Sequence, residues 1–537
     1  MSLGVLLIGI ICFVIAFATY GAWLAKQWGV DPSRTTPAHA LKDDLDYVPA
    51  KSPVLLGHHF SSIAGAAPIV GPITASMWGW APVALWIILG SIFIGGVQDF
   101  GSLLASARHD GRSIGDVIKS NIGESGKKLF SVFAWLTLIL IVAAFANIVA
   151  DTFVATPEAA TASVLFIILA IVFGFTVNKG GIPLPAASVI GVILLFVCIW
   201  IGTQAPLVIP HSTWMIILLV YIFIASITPV WILLQPRDYL NSFLLYIMII
   251  GAFIGLIFYR PDIQLPAVTS FNVDGELLFP ILFVTVACGA ISGFHSLVGS
   301  GTTSKQLDNE KDTKLVGYGS MLLEGVLALI ALITAAYLAS DVLDEFMAEG
   351  PIYVFSHGIG TFISQLGVDF TLAQTFGALA ISAFALTSLD TATRLSRFIF
   401  QEYFAGDTPV PEAEKSGNPL TNRYVTTIIS VIVAGTLAFY GWEAIWPIFG
   451  SANQLLASLA FLAMATWMVR LGKNNNMFIY PMIFMALVTL CALLVMIYTN
   501  FPGNLLLVFI SAVLFILAIV LFKQAYQILI GNKTIDS

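Results

Sequence analysis

Ionisable side chains inside long apolar stretches are the residues of this sequence most able to do chemistry. Asp99 lies in IFIGGVQDFGSLL, His295 in AISGFHSLVGSG and Glu324 in SMLLEGVLALIAL. A carboxyl or imidazole group that is shielded from water can take up or release a proton near neutral pH. We predict that Asp99 and His295 couple the protein to an ion. Glu324 is assigned a gating or structural role, with the alternative that it only ties helices together.

Hydroxyl side chains are concentrated around His295. Ser292 precedes it, and Thr302 and Thr303 follow it in a segment rich in glycine and serine. Hydroxyl oxygens suit a hard cation, whereas small residues also let membrane helices approach closely. The predicted ion-coupling residues are therefore Asp99, Ser292, His295, Thr302 and Thr303, with either a proton or a sodium ion as the coupling ion.

A second set of polar residues has a gating or structural interpretation. Asp390 and Arg394 lie one helical turn apart, which predicts an ion pair. Asn453, next to Gln454, is predicted to join helices by hydrogen bonds.

Metal, cofactor and nucleotide sites find little support. His58 and His59 are adjacent, and two neighbouring histidines alone make a poor ligand set, so gating or capping contacts are the better interpretation. The sequence contains neither HExxH nor a glycine-rich loop that ends in Lys-Ser or Lys-Thr. We predict no metal, no cofactor and no enzymatic activity.

Two apolar stretches are interrupted near their middle by proline or glycine. In 58–78 the interruption runs from Gly65 to Pro72, and in 220–239 it runs from Ser226 to Pro229. Proline lacks an N–H group and disturbs the preceding turn, and inside a membrane the freed backbone must be buried or line a cavity. A simple kink is the alternative, above all at Pro229. The residues predicted to bind substrate are Gly65, Ala66, Ala67, Pro68, Gly71, Ser226, Thr228 and Trp231.

The composition predicts the setting of these residues. Hydrophobic residues make up 58% of the 537 residues and charged residues only 10%, too few charges to coat a soluble body of this size. The chain is therefore predicted to be an all-α polytopic membrane protein that contacts lipid and does not bind nucleic acid. About fifteen spans are predicted: 3–25, 58–76, 80–106, 129–149, 162–177, 185–203, 214–234, 240–258, 280–303, 315–338, 372–393, 424–441, 444–469, 479–498 and 504–522.

The basic residues predict the orientation of these spans. With the N-terminus outside, 22 of the 23 lysines and arginines fall in inside loops and only Arg260 falls outside, in accord with the positive-inside rule. The C-terminus is then cytoplasmic. The short apolar stretch 352–367 is interpreted as re-entrant or interfacial.

The two interrupted spans are five spans apart and therefore enter the membrane from opposite sides. Two five-helix units of opposite orientation, each opening with a broken helix, are typical of an inverted-repeat transporter. The predicted organisation is a peripheral helix and loop over 1–57, a first repeat over 58–213, an inverted second repeat over 214–398 and peripheral helices over 399–537.

The same blocks resemble the carbon starvation protein A (CstA) family over most of the chain. The resemblance rests on HHFSSIAGAAPIVGPITASMWGW, VQDFGSLLASARHDGRSIGDV, IASITPVWILLQPRDY, SGFHSLVGSGTTSKQL and SLDTATRLSRFIFQE, in this order. It implies a leucine-transporter-like core and ion-driven uptake of peptides or pyruvate at a bacterial inner membrane. Pyruvate-transporting relatives imply proton symport, and His58 stands where relatives often have arginine.

Other functions remain as alternatives at this stage. A membrane-embedded enzyme or starvation sensor needs a catalytic set or an attached soluble domain, and the longest inside loops hold only about thirty residues. A channel is a third alternative, although nothing resembles a repeated filter. The expected partners are a peptide or pyruvate, a proton or sodium ion and lipid, while the oligomeric state is left open.

Overall fold

Long helices build almost the whole molecule. The computed structural model describes residues 1–178, 180–273, 275–406, 408–439 and 442–530. Eleven helical segments in these ranges are long and apolar enough to cross a membrane: Ser2–Trp28, Trp80–Ala107, Glu124–Ala155, Pro157–Val177, Leu184–Gln204, Leu234–Tyr259, Glu310–Ala336, Phe370–Ala405, Ile448–Arg470, Asn476–Asn500 and Leu505–Lys523.

The remaining elements are shorter or broken. A bent pair of helices, Ser52–Ile63 and Ala67–Trp78, makes a twelfth candidate span. His211–Ile227 and Arg423–Ala438 are apolar but hold only 17 and 16 residues. Asn272–Val273 and Glu276–Leu277 form a small antiparallel hairpin. Further short helices are Pro37–Ala40, Ile114–Ile122, Leu278–Thr285, Gly293–Gly301, Ser340–Ala348, Pro351–Ser364 and Val410–Glu414.

The predicted number of about fifteen spans is not confirmed, because eleven or twelve helices meet the criteria among the described residues. The predicted spans 214–234 and 424–441 correspond to the two short helices, and 280–303 is split in two. The stretch 352–367 forms Pro351–Ser364, which is 14 residues long and therefore reaches only about 21 Å, too little to cross a bilayer. The placements predicted for Lys179, Lys533 and the C-terminus lie outside the described residues.

The first predicted break is present in the structure. The helix Ser52–Ile63 ends at Ala64, and Ala67–Ala75 begins three residues later at an angle of 44°. The N–H of Gly65 donates to Ile63 O at 2.8 Å, which closes a tight turn of the kind common where regular structure ends. Pro68 then lies in the first turn of the second helix, where proline is tolerated because an N–H there has no helical acceptor.

The second predicted break is in the wrong place. The helix His211–Ile227 ends at the predicted position, and residues 228–233 turn into Leu234–Tyr259. That second helix is about 39 Å long and is long enough to cross by itself, so 226–229 precedes this span and does not interrupt it. The second interrupted helix lies at 286–292, between Leu278–Thr285 and Gly293–Gly301.

The two broken helices run antiparallel, side by side. At one end His59 Nδ1 lies 2.8 Å from Thr303 Oγ1, and at the other Trp78 Nε1 donates to Glu276 O. We call the first the basic end, since Arg394, Arg397 and Lys305 lie there, and the second the acidic end. The acidic end also carries the hairpin of helices Ser340–Ala348 and Pro351–Ser364.

Candidate functional site

The first break is enclosed by two long helices. A Cβ placed on Gly65 would lie 2.7 Å from Ser388 Oγ and 2.9 Å from the Phe145 ring. Ser388 Oγ donates to Ser62 O at 2.9 Å, and Ser62 Oγ lies 3.2 Å from Thr391 Oγ1. Little space is therefore left for any side chain larger than glycine at this position.

Two backbone donors are left over at this break. The N–H groups of Ala66 and Ala67 have no hydrogen-bond acceptor within the described residues. Both residues are buried, and both point along the N-terminal turn of Ala67–Ala75. Because the N-terminal end of a helix carries partial positive charge, an anionic group fits this position.

The second break lies directly against the first. A Cβ on Gly71 would approach Thr285 O to 2.5 Å, and a Cβ on Gly289 would lie 3.6 Å from Pro72 and 3.7 Å from Pro68. The predicted residues Gly65, Ala66, Ala67, Pro68 and Gly71 are thus brought together with the second interruption.

Side chains from neighbouring helices hold the second break. Gln98 Nε2 donates to Ser292 O at 2.6 Å, and Gln454 Nε2 donates to Ile291 O. Asn453 Oδ1 accepts from Phe294 N at 2.7 Å and from Ser292 Oγ. Asn453 thus contacts the second broken helix, and it engages the Ser292 hydroxyl that was predicted to serve an ion.

A cavity of about 770 Å³ opens at the acidic end. Its walls come from the end of Glu124–Ala155, from the helical hairpin and from the start of Phe370–Ala405. Val70 and Ile148 line its inner part. Val70 lies one helical turn beyond Ala66, and Ile148 lies one turn beyond Phe145. The cavity therefore reaches to within about one turn of the free amides.

Three ionisable side chains meet beside the second break. His295 Nδ1 lies 2.9 Å from Asp99 Oδ2, and His295 Nε2 lies 3.4 Å from Glu324 Oε2. All three side chains are fully buried. The structure thus brings Asp99 and His295 together and adds Glu324, which the sequence left as a structural residue.

The two adjacent histidines point to different partners. His59 contacts Thr303, whereas His58 Nδ1 donates to Asp238 Oδ2 at 2.7 Å and His58 Nε2 accepts from Gln306 at 3.1 Å. Thr302 Oγ1 also accepts from Gln306. Both threonines are therefore engaged by side chains at the basic end and do not surround His295.

The predicted pair of Asp390 with Arg394 is not formed. Asp390 accepts hydrogen bonds from Arg237 and from Tyr221. Arg394 instead binds Asp46 at 2.6 Å and donates to the carbonyl of Thr228. The helical spacing of Asp390 and Arg394 favours an ion pair, but each residue binds a partner on another segment.

An ionic layer closes the basic end. Asp46, in the loop before the first broken helix, binds both Arg394 and Arg397. Burial alone would raise the pKa of Asp46, but Arg397 and Arg394 hold it well below its usual range. The carboxylate is therefore charged throughout the neutral range, and the layer persists there.

Three predicted binding residues lie away from the break. Ser226 contacts Thr427, the carbonyl of Thr228 binds Arg394, and Trp231 packs on Phe175. Arg394, which binds the carbonyl of Thr228, lies about two helical turns beyond Ser388, nearer the basic end.

Sequence reasoning missed several members of the site. Phe145 and Ser388 lie in uniformly helical stretches, so nothing local marks them. The second break has no proline, and its only signal was the run of small residues in CGAISG. Among the described residues, no group of three or more His, Cys, Asp or Glu side chains is arranged to hold a metal ion.

Comparison with known proteins assigns this architecture to a family. The family model described as "Carbon starvation protein CstA" matches residues 1–347 and 341–492. The chain belongs to the CstA family. The resemblance seen in the sequence blocks is thereby confirmed.

Two relatives of the CstA family carry names that describe transport. The peptide transporter CstA of Campylobacter jejuni is 33% identical, over 90% of this chain and 79% of its own length. The pyruvate/proton symporter BtsT of Escherichia coli is 30% identical, over 93% of this chain and 82% of its own. A crystallised manganese transporter of Eremococcus coleocola shares the fold, with a TM-score of 0.54 at 11% identity over 91% of this chain and 98% of that one.

Proposed function

We propose that this chain is a secondary active transporter that imports peptides or pyruvate across a bacterial inner membrane and is coupled to a proton gradient. Relatives named as a peptide transporter and as a pyruvate/proton symporter support the substrates and the ion. The observation that carries the proposal is the pair of breaks in contact, with free amides at Ala66 and Ala67 beneath a cavity.

The free amides would receive a carboxylate. Pyruvate and the C-terminus of a peptide both carry one, and the helix that begins at Ala67 offers donors and a favourable dipole. Gly65, Ala66, Ala67, Pro68 and Gly71 remain the proposed substrate residues. Ser226, Thr228 and Trp231 no longer belong to this set, because they lie near the basic end.

The two ends of the bundle support alternating access. The cavity comes to within about one helical turn of the break from the acidic end, whereas the Asp46 layer closes the basic end. By the positive-inside rule the basic end is cytoplasmic and the N-terminus lies outside, so the structure corresponds to an outward-facing state. The antiparallel broken helices support an inverted repeat whose second unit begins near residue 278 and not at 214.

Transport by purified protein tests the proposal. Proteoliposomes loaded with unlabelled pyruvate or alanyl-alanine should accumulate the labelled form by counterflow, because a carrier exchanges solute against its gradient. An imposed inward proton gradient should then drive net uptake. A channel or an enzyme gives no counterflow, and a sodium-coupled carrier responds only to sodium.

Asp99 gives a residue-level test of coupling. Asp99→Asn keeps the shape of the side chain but removes the anion that binds His295. We expect gradient-driven uptake to fall more than counterflow does. An equal loss of both activities would assign Asp99 a structural role.

A further inference from the structure

Glu324 is the least satisfied buried carboxyl group next to the substrate site. Neither Oε1 nor Oε2 has a hydrogen-bond partner within the described part of the chain, and the residue is 0% exposed. An unpaired carboxylate in such surroundings is costly. A proton is the smallest group that removes this cost.

The imidazole of His295 separates two carboxyl groups. Asp99 Oδ2 meets one ring nitrogen at 2.9 Å, and Glu324 Oε2 faces the other at 3.4 Å, without the alignment of a hydrogen bond. When Nδ1 donates to Asp99, Nε2 presents a lone pair to Glu324. A single proton between Nε2 and Oε2 would give either an imidazole beside a carboxylic acid or an imidazolium beside a carboxylate.

We infer that the coupling proton is carried between Glu324 and His295, with Asp99 as the positioning residue that fixes the orientation of the imidazole. The inference rests on the proposed function, since it names the proton-binding residues of that transporter. It assigns Glu324 a role in coupling that the sequence did not.

The geometry favours a proton over a metal cation. The two carboxyl groups approach opposite edges of one ring, so the ring occupies the space where a shared cation would sit. Among the described residues, the other titratable groups that face the cluster are His59 from the first broken helix, which faces His295, and Cys288 from the second break, which faces Glu324 and Asp99. None of them is a cation that could neutralise Glu324 permanently.

The position of the cluster explains how a proton could influence the substrate site. His295 lies in the first turn of the half-helix that follows the second break. His59 lies in the half-helix that precedes the first break, about one and a half turns before Ala64. A change of charge at Glu324 and His295 therefore acts on both half-helices that meet at the proposed binding site.

The test compares coupling with exchange in the same proteoliposomes. Each variant is assayed for counterflow of labelled pyruvate or alanyl-alanine and for accumulation driven by an imposed proton gradient. For one proton per substrate, a gradient of about one pH unit drives up to about tenfold accumulation. Glu324→Gln should lose this accumulation and keep counterflow within about twofold, and its apparent substrate affinity should no longer depend on pH.

Two further variants control for folding. Glu324→Asp keeps a titratable group and should retain accumulation with a shifted pH profile. Glu402→Gln changes another buried glutamate, which binds Ser113 near the basic end, and it should leave coupling intact.

Each outcome decides the inference separately from the proposed function. Absence of counterflow in the unmodified protein refutes the transporter itself. Normal proton-driven accumulation in Glu324→Gln overturns the inference alone, whereas coupling of the unmodified protein to sodium only overturns both the inference and the proton coupling of the proposed function. If folded Glu324→Gln loses both counterflow and accumulation, the inference is overturned too, because Glu324 then acts on substrate or structure. If Glu324→Gln does not fold, an unchanged pH profile in Glu324→Asp has the same consequence.

Discussion

The two helix breaks differ in how their backbone groups are satisfied. At 286–292, Gln98, Asn453 and Gln454 supply hydrogen bonds to the interrupted main chain. At 64–66, the N–H groups of Ala66 and Ala67 have no such partner among the described residues. A break whose main chain is held by side chains from other helices can keep its shape, whereas one without such side-chain partners is open to a ligand. We therefore expect the first break to receive the substrate and the second to act as a fixed support.

A larger side chain at the first break should give the largest effect on uptake. In Gly65→Val the new side chain would collide with Ser388 and Phe145, and displacement of the turn by about 1 Å can cost about a hundredfold in rate. Uptake per reconstituted molecule measures the loss. Gly4→Val is the matched control, since nothing lies within 4 Å of a Cβ at Gly4. Uptake near that of the unmodified protein in Gly65→Val would remove the first break from the binding site.

Loss of the Asp46 carboxylate should open the basic end below the first break. Asp46→Asn leaves Arg394 and Arg397 without their anion, and because Asp46 is only 14% exposed we expect a cost of about 3 kcal/mol, at the low end for a buried pair. A cysteine at Thr391, in a chain whose native cysteines are replaced, should react faster with a reagent added from the basic side. Unchanged reactivity would show that another contact closes this end.

The pH dependence of the Asp46 layer follows from the same ion pairs. Since the pKa of Asp46 is lowered in the folded protein, its stabilisation is complete above the ordinary pKa of an aspartate and is lost only as the pH falls through the lowered value. The labelling rate of a cysteine at Thr391, divided by that of a fully exposed cysteine to correct for the thiolate fraction, should therefore be constant from about pH 5 to about pH 8. A rise in this ratio within that range would assign proton sensing to this layer and not to the Glu324 cluster.

Loss of the Asn453 amide should weaken the second break, with a smaller cost in free energy than the loss of the Asp46 carboxylate. Asn453→Ala removes the acceptor of Phe294 N and of Ser292 Oγ, and an unsatisfied buried donor costs about 1–3 kcal/mol. The melting temperature should fall, while the molecules that remain folded still exchange substrate. Asn500→Ala, near the end of a helix, is the control. Loss of exchange without loss of stability would make the second break a binding element as well.

Substitution of Lys305 should give the smallest effect, which is a change in how stability depends on pH. It lies beyond the second broken helix, where burial lowers its pKa to about 8. The unfolded chain then binds more protons between about pH 8 and about pH 10, so the free energy of unfolding rises with pH in this window. Lys305→Met should flatten the rise when melting temperatures at about pH 7 and about pH 9.5 are compared. An unchanged dependence of the melting temperature on pH in Lys305→Met would show that the rise comes from another group.

The sequence by itself determined the membrane setting, most of the spans, the first break and the family. Runs of about 20 apolar residues cross a bilayer whatever their neighbours are, and two prolines with a glycine interrupt a helix locally. These properties depend on residues close in the chain, so they can be predicted from it.

Only the tertiary structure decided which groups meet. Asp390 and Arg394 had suitable spacing for each other but bind Arg237 and Asp46, which come from distant segments. The second break was misplaced because Pro229 is a strong local signal, whereas 286–292 is held open by amides from two other helices. The pairing of Glu324 with His295 likewise depends on helix packing, and no local pattern records which faces of two helices pack together.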